Sequence, residues 1–201
     1  MEGTKSPIDN VIYGDGPMAV YKAIITKEGI FIDPMVKESE GLPTPNLVLD
    51  LKTGKVIGEF DEYFRMEWYF NNSIYSWVTT SRLDTVSKKV VWERRDVLEP
   101  ELYDSGVIKG KFSKNVYVFI DAITGETISE PKQLGNLVRP RHILRHDEIY
   151  TETFDGIKYT FTPVVYSGKY DTYGGHGGLP PDIDSGYGIT AEREVSKKSG
   201  S

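Results

Sequence analysis

The sequence holds three histidines, His142, His146 and His176. His142 and His146, in RPRHILRHDE, stand at i and i+4, the spacing that puts two imidazoles on one face of a helix, where they can share a metal ion. His176, in Tyr173-Gly-Gly-His-Gly-Gly, is a candidate third ligand, so one reading is a metal-dependent hydrolase built on the three. Against it, Pro140 adjoins the segment and no glutamate lies between the first two histidines. On a strand, moreover, residues four apart are separated by ~13 Å. The metal site therefore stays an alternative, and no cofactor is expected.

Other chemistries find less to work with. There is no cysteine, which removes thiolate catalysis, Cys-ligated zinc and a disulfide scaffold. No G-x-S-x-G elbow and no glycine-rich phosphate loop occurs. Asp182-Ile-Asp184-Ser-Gly186 opens like a calcium loop, but Arg193 stands where the bidentate glutamate belongs. The carboxylates at Asp61 and Glu62, or Asp182 and Asp184, lack the setting of a glycosidase pair. The chain reads as a non-enzyme.

Residues suited to binding are easier to find. Arg139, Arg141 and Arg145 flank the first two histidines, with Asp147 and Glu148 beside them. That pattern fits a solvated strand face or an arginine-rich protein contact. Aromatics concentrate from Trp68 to Trp77; the outward-facing ones, Tyr69 and Tyr75 among them, suit an interface. Tyr170, Tyr173 and Tyr187 are candidate anchors in the C-terminal segment.

The elements that must position these residues read as strands. Thirteen Tyr, eight Phe and three Trp, set among Val, Ile and Thr, suit pleated surfaces. From Tyr63 to Phe70 the residues alternate, placing Phe64, Met66, Trp68 and Phe70 on one face and Tyr63, Arg65, Glu67 and Tyr69 on the other. Turn residues divide such runs at Lys27-Glu28-Gly29, Asn71-Asn72 and Asp155-Gly156.

Three stretches are similar to one another: LVLDLKTGKVIGEF (47–60), SRLDTVSKKVVWER (81–94) and VYVFIDAITGETISE (116–130). Aligning Asp50, Asp84 and Asp121 places Thr53, Ser87 and Thr124 three residues on, then Gly54, Lys88 and Gly125. With Asp155 as a shorter fourth hairpin, the spacings are 34, 37 and 34 residues, within the range of repeated supersecondary units. This D-x-x-T-G-[KE] turn between apolar strands resembles that of β-propeller blades of the quinoprotein-like type, over about residues 46–165. The resemblance implies an antiparallel repeat. The expected fold is all-β: an antiparallel meander of hairpins closing as a sandwich, a barrel or a small propeller-like body.

From Ser167 to Ser201 the composition shifts, with eight glycines in 35 residues and few aliphatics. Such a segment buries too little apolar surface to order itself. The expected organisation is a β-rich domain over 1–166 and an extended Gly-rich arm over 167–201, ordered by a neighbour.

At 201 residues the chain has room for one domain or two small ones. A net charge of −6 does not favour nucleic acid as a partner. No apolar run reaches the ~20 residues of a membrane helix, and MEGTKSPIDN lacks the apolar core of a signal peptide. A soluble chain is expected, in a cytoplasm or a virion. The leading reading is a structural or interaction component of a larger assembly, such as a virion or phage particle, with protein partners. A small inhibitor or immunity-type protein is a further alternative, since the negative charge complements a basic target.

Overall fold

A computed structural model describes residues 6–14, 22–33, 46–61, 64–114, 116–144, 148–166 and 184–193, of which 6–14, 164–166 and 184–186 are described as backbone. The elements are all strands. In chain order they are β1 (Ser6–Gly14), β2 (Lys22–Thr26), β3 (Gly29–Asp33), β4 (Asn46–Leu49), β5 (Val56–Phe60), β6 (Met66–Phe70), β7 (Ser73–Ser76) and β8 (Thr80–Asp84). There follow β9 (Lys89–Arg94), β10 (Leu98–Leu102), β11 (Val107–Ser113), β12 (Val116–Asp121), β13 (Thr127–Ile128), β14 (Tyr150–Phe154), β15 (Ile157–Tyr166) and β16 (Asp184–Arg193). They form four antiparallel four-stranded sheets: β2 to β5 (sheet B), β6 to β9 (sheet C), β10 to β13 (sheet D), and β14-β15-β16-β1 (sheet A). The antiparallel meander of hairpins is thus the architecture observed.

The repeated aspartates set the same turn in three sheets, always between the third and fourth strands. Asp50 Oδ1 accepts from the amides of Lys52 and Thr53, and the Gly54 amide donates to the Asp50 carbonyl at 2.8 Å. Asp84 Oδ1 takes the Ser87 amide and hydroxyl, and Asp121 Oδ1 the amides of Ile123 and Thr124. Gly54, Lys88 and Gly125 occupy the left-handed region at φ 64°, 59° and 75°, where glycine is ordinarily needed. The fourth aspartate differs. Asp155 turns between the first and second strands of sheet A, the place held in sheet C by Asn71-Asn72, and all three of these residues have positive φ. Sheet A has no third-to-fourth turn, because its fourth strand, β1, comes from the opposite end of the sequence.

Three cores join the sheets in the order A, B, C, D. Ile25, Ile30 and Leu49 of sheet B pack with Tyr159, Phe161, Tyr187 and Ile189 of sheet A. Ile24, Phe31 and Val48 face Met66, Ile74 and Leu83 of sheet C. Trp68 and Tyr75 face Leu102, Ile108 and Ile120 of sheet D. Each fully buried aliphatic or aromatic side chain contributes roughly 1.5–3 kcal/mol relative to exposure.

Corresponding rows across the sheets show where the stack ends. Sheet B carries Ile24-Phe31-Val48-Gly58, sheet C Trp68-Tyr75-Arg82-Trp92, and sheet D Glu101-Lys109-Phe119-Ile128. The first two rows turn towards the next sheet. In sheet D the two leading positions are charged, as the outer face of a terminal repeat requires. The outward row of sheet A is Thr151-Thr160-Thr190, likewise polar. Among the described residues no shared core joins sheet D to sheet A.

Two expectations are corrected here. Met66 and Trp68 do not share a face: a register shift between them, a β-bulge, sends Met66 to the B–C core and Trp68 to the C–D core. Sheet C lies between two others, so both its faces accept large side chains, and simple alternation does not apply. Nor do residues 167–201 form a separate arm throughout. Asp184–Arg193 is β16, hydrogen-bonded between β15 and β1 in the body of sheet A. Residues 167–183 and 194–201 lie outside the described residues.

Candidate interaction site

The first strands of the sheets, β10, β6, β2 and β14, are sheet edges and need partners for their outward backbone groups. The connection from β13 to β14 supplies several. The Ser105 hydroxyl donates to the Leu134 carbonyl, and Asp104 accepts from the Asn136 amide at 2.9 Å. The Val138 amide donates to Leu102 of β10, the Arg141 amide to Glu67 of β6 at 2.8 Å, and Ile143 bridges to Lys22 of β2. The connection therefore retraces the stack from D through C and B before β14 begins sheet A. Leu144 enters the A–B core.

Ionic pairs are concentrated beneath this strap. The Arg141 guanidinium donates to Glu152 of β14 at 2.8 Å and lies 5.6 Å above the Tyr69 ring. The Tyr150 hydroxyl also donates to Glu152, at 3.0 Å, and burial with that carboxylate beside it pushes the phenol up to about 12. His142 stacks on Tyr150 at 4.7 Å and lies 3.5 Å from Glu148. Lys22, almost wholly buried, pairs with Glu67. Asp33, fully buried, receives Arg65 at 3.0 Å and the Met66 amide. Burial pushes its carboxyl up to about 6, with Arg65 opposing the rise. Charges so paired stitch the sheet edges together.

The opposite kind of surface lies where the second strands of sheets C and D turn into the third. Trp77, Val78, Leu98, Phe112, Val116 and Tyr117 are each 47–57 % exposed. Beside them an open groove of about 370 Å³ is lined by Glu99, Glu101, Lys109, Lys111 and Tyr117. Lys111 pairs with Glu99, and the Lys109 ammonium sits 4.5 Å above the Tyr117 ring. Arg95 pairs with Glu93 and Arg94 with Asp96. Large apolar side chains ringed by mixed charge are the make-up of a protein-binding patch.

The residues singled out from sequence are distributed unevenly. Arg141, His142 and Tyr69 come together under the strap, while Arg139 is exposed beside it. Tyr69 also donates to Asn72 in the turn of its own hairpin. Tyr75 and Tyr187 are corrections: at 1 % and 2 % exposure they fill the C–D and A–B cores and are not surface anchors. Arg145, His146, Tyr170, Tyr173 and His176 lie outside the described residues. Among the described residues no group of three or more His, Asp or Glu side chains could hold a metal ion. Trp77, the end of the aromatic run considered for an interface, is exposed; sequence reasoning missed Phe112 and Val116, whose signal was there in apolar residues flanking the polar stretch Ser113-Lys114-Asn115. The chain matches no protein-family model, and no curated protein matches its sequence.

Proposed function

We propose that the chain is a non-enzymatic interaction component of a larger assembly, docking through the exposed end of sheets C and D on the surface of another protein. The observation that carries this reading is the set of exposed Trp77, Val78, Phe112 and Val116 at the hairpin ends of sheets C and D, with exposed Leu98 and Tyr117 on the outer row of sheet D beside the groove. Aromatic and aliphatic anchors on a fixed frame lose little side-chain entropy on binding. The occupant is a protein surface with an apolar centre and a mixed-charge rim, because the charges beside the patch carry both signs. A polyanion would meet Glu93, Glu99 and Glu101 together with the overall charge of −6.

Site-specific photocrosslinking in the producing cell tests this. A photoreactive residue at Phe112 or Trp77 is expected to give one discrete crosslinked protein, and the same probe at Thr153, on the outward face of sheet A, none. Equal labelling from all three positions, crosslinks to nucleic acid, or no product from any of them would contradict the reading.

A further inference from the structure

Sheet A is completed differently from the other three. In sheets B, C and D the fourth strand follows the third through the aspartate turn. In sheet A the neighbour of β16 is β1, joined to β2 through residues 15–21. The edge of β16 is therefore a built acceptor for an extended strand, in which main-chain hydrogen bonds supply affinity and alternate side-chain positions supply selectivity.

The register defines what fits. Ile8 stands opposite Ile189 and Ile12 opposite Tyr187, the two β16 residues buried in the A–B core, while Pro7 and Val11 stand opposite Thr190 and Gly188. A register shift between Ile8 and Val11 keeps both isoleucines on core rows. Tyr187 and Ile189 are 2 % and 0 % exposed, so an empty fourth position would leave the flank of that core open and a row of backbone groups unpaired.

The linker sets the choice between one chain and two. Gly14 lies opposite Ser185 in the fourth position of sheet A, and Lys22 begins the first position of sheet B. Three strand spacings and one sheet spacing separate those positions, about 17 Å, whereas seven linker residues reach about 26 Å. The slack allows closure within one chain, but nothing in the pairing of β1 with β16 depends on their belonging to the same chain. We infer that sheet A is a strand-acceptor site for the segment Ser6–Gly14, and that a second copy of this chain fills it by exchanging β1 when the linker cannot close. Exchange of an identical element is a low-cost route to a dimer. This inference is independent of the docking patch on sheets C and D, since it concerns the opposite end of the stack.

The test keeps the full sheet and shortens only the linker. Removing Asp15–Met18 leaves three residues, with a reach of about 13 Å, less than the span. Light scattering is expected to show twice the mass of the unaltered chain, and an excess of a synthetic peptide of residues 1–14 is expected to convert that dimer to a monomer carrying one peptide. The same peptide with aspartate at positions 8 and 12 should leave the dimer intact. A shortened chain that stays monomeric, that aggregates without a discrete dimer, or whose dimer ignores the peptide would overturn the inference. Each of these outcomes leaves the crosslinking result at Phe112 unaffected.

Discussion

Lys88 departs from the glycine found at the same turn position in the neighbouring repeats, and its neighbour explains why. A Cβ on Gly58 of β5 would lie 2.7 Å from Lys88 Cδ, so the lysine stem covers the bare backbone of sheet B. One repeat on, the sizes are exchanged: a Cβ on Gly125 would lie 2.7 Å from the Trp92 ring. Large over small in one pair, small under large in the next, fills both gaps. Lys88→Gly is therefore expected to be close to neutral in thermal unfolding, as relief of left-handed strain of about 1 kcal/mol offsets the lost cover. Gly125→Ala is expected to lower stability by about 1–3 kcal/mol, since it adds both strain and overlap. Buried Asp33 gives a pH signature. Its folded carboxyl titrates near 6 against about 4 unfolded, because burial disfavours the charge more than Arg65 favours it. The folded state then binds the proton more tightly, so this residue's contribution falls as pH rises from about 4 to 6 and stays low above that. Asp50 and Asp84, held low chiefly by amides of Thr53 and Ser87, act in the opposite sense and lose their contribution in acid. Asp33→Asn should make the difference in urea midpoint between variant and parent grow in the variant's favour across pH 4 to 6; a pH-independent difference would refute the assignment. Tyr159 adds a simpler case. Its hydroxyl is buried with no partner among the described residues, so Tyr159→Phe is expected to raise stability by about 1 kcal/mol in the same measurement.

At the scale of elements, the strap over the first strands is what the sequence hid. Hairpins at Asn71-Asn72 and Asp155-Gly156 were legible because those residues tolerate positive φ, and the three aspartate turns because each is a local set of side chain to amide bonds. Residues 134–144 have no period, and their partners Leu102, Glu67 and Lys22 are far away in sequence. Nor could alternation find the bulge that parts Met66 from Trp68, since a sheet buried on both faces has no polar face to mark it. Tyr75 misled for the same reason: a tyrosine on a strand reads alike whether its face meets solvent or another sheet; Tyr187 misled because the Gly-rich composition of 167–201 hid the strand it sits on. Arg141→Ala should expose the strap's role, because Glu152 loses the guanidinium, keeping the Tyr150 hydroxyl, and Tyr69 loses its cation. The expected loss is about 1–3 kcal/mol, with faster amide exchange at Glu67 and Leu102. Unchanged exchange there would show that the strap is not held by this residue.

For the whole molecule, repeats stacked in the spatial order A, B, C, D while the chain runs B, C, D, A account for three separate features. The 20-odd residues between β13 and β14 must cross back over two sheets. Charged Glu101 and Lys109 stand where inner repeats carry aromatic or aliphatic residues. The threonine row of sheet A faces away from the cores. The free surfaces follow from this order: the threonine row of sheet A, an outer row of sheet D that is charged at its first two positions and apolar at Phe119 and Ile128, and exposed apolar residues at one end of sheets C and D. The order of the cores makes sheets A and D the two ends of an open stack. Because the chain has no cysteine, cysteines introduced at Thr160 and Glu101 accept spin labels at those two positions alone. Pulsed dipolar spectroscopy should give a separation of about 30 Å or more, three sheet spacings. A distance of about 10 Å, one sheet spacing, would mean that sheet D packs on sheet A and that the stack is a closed ring.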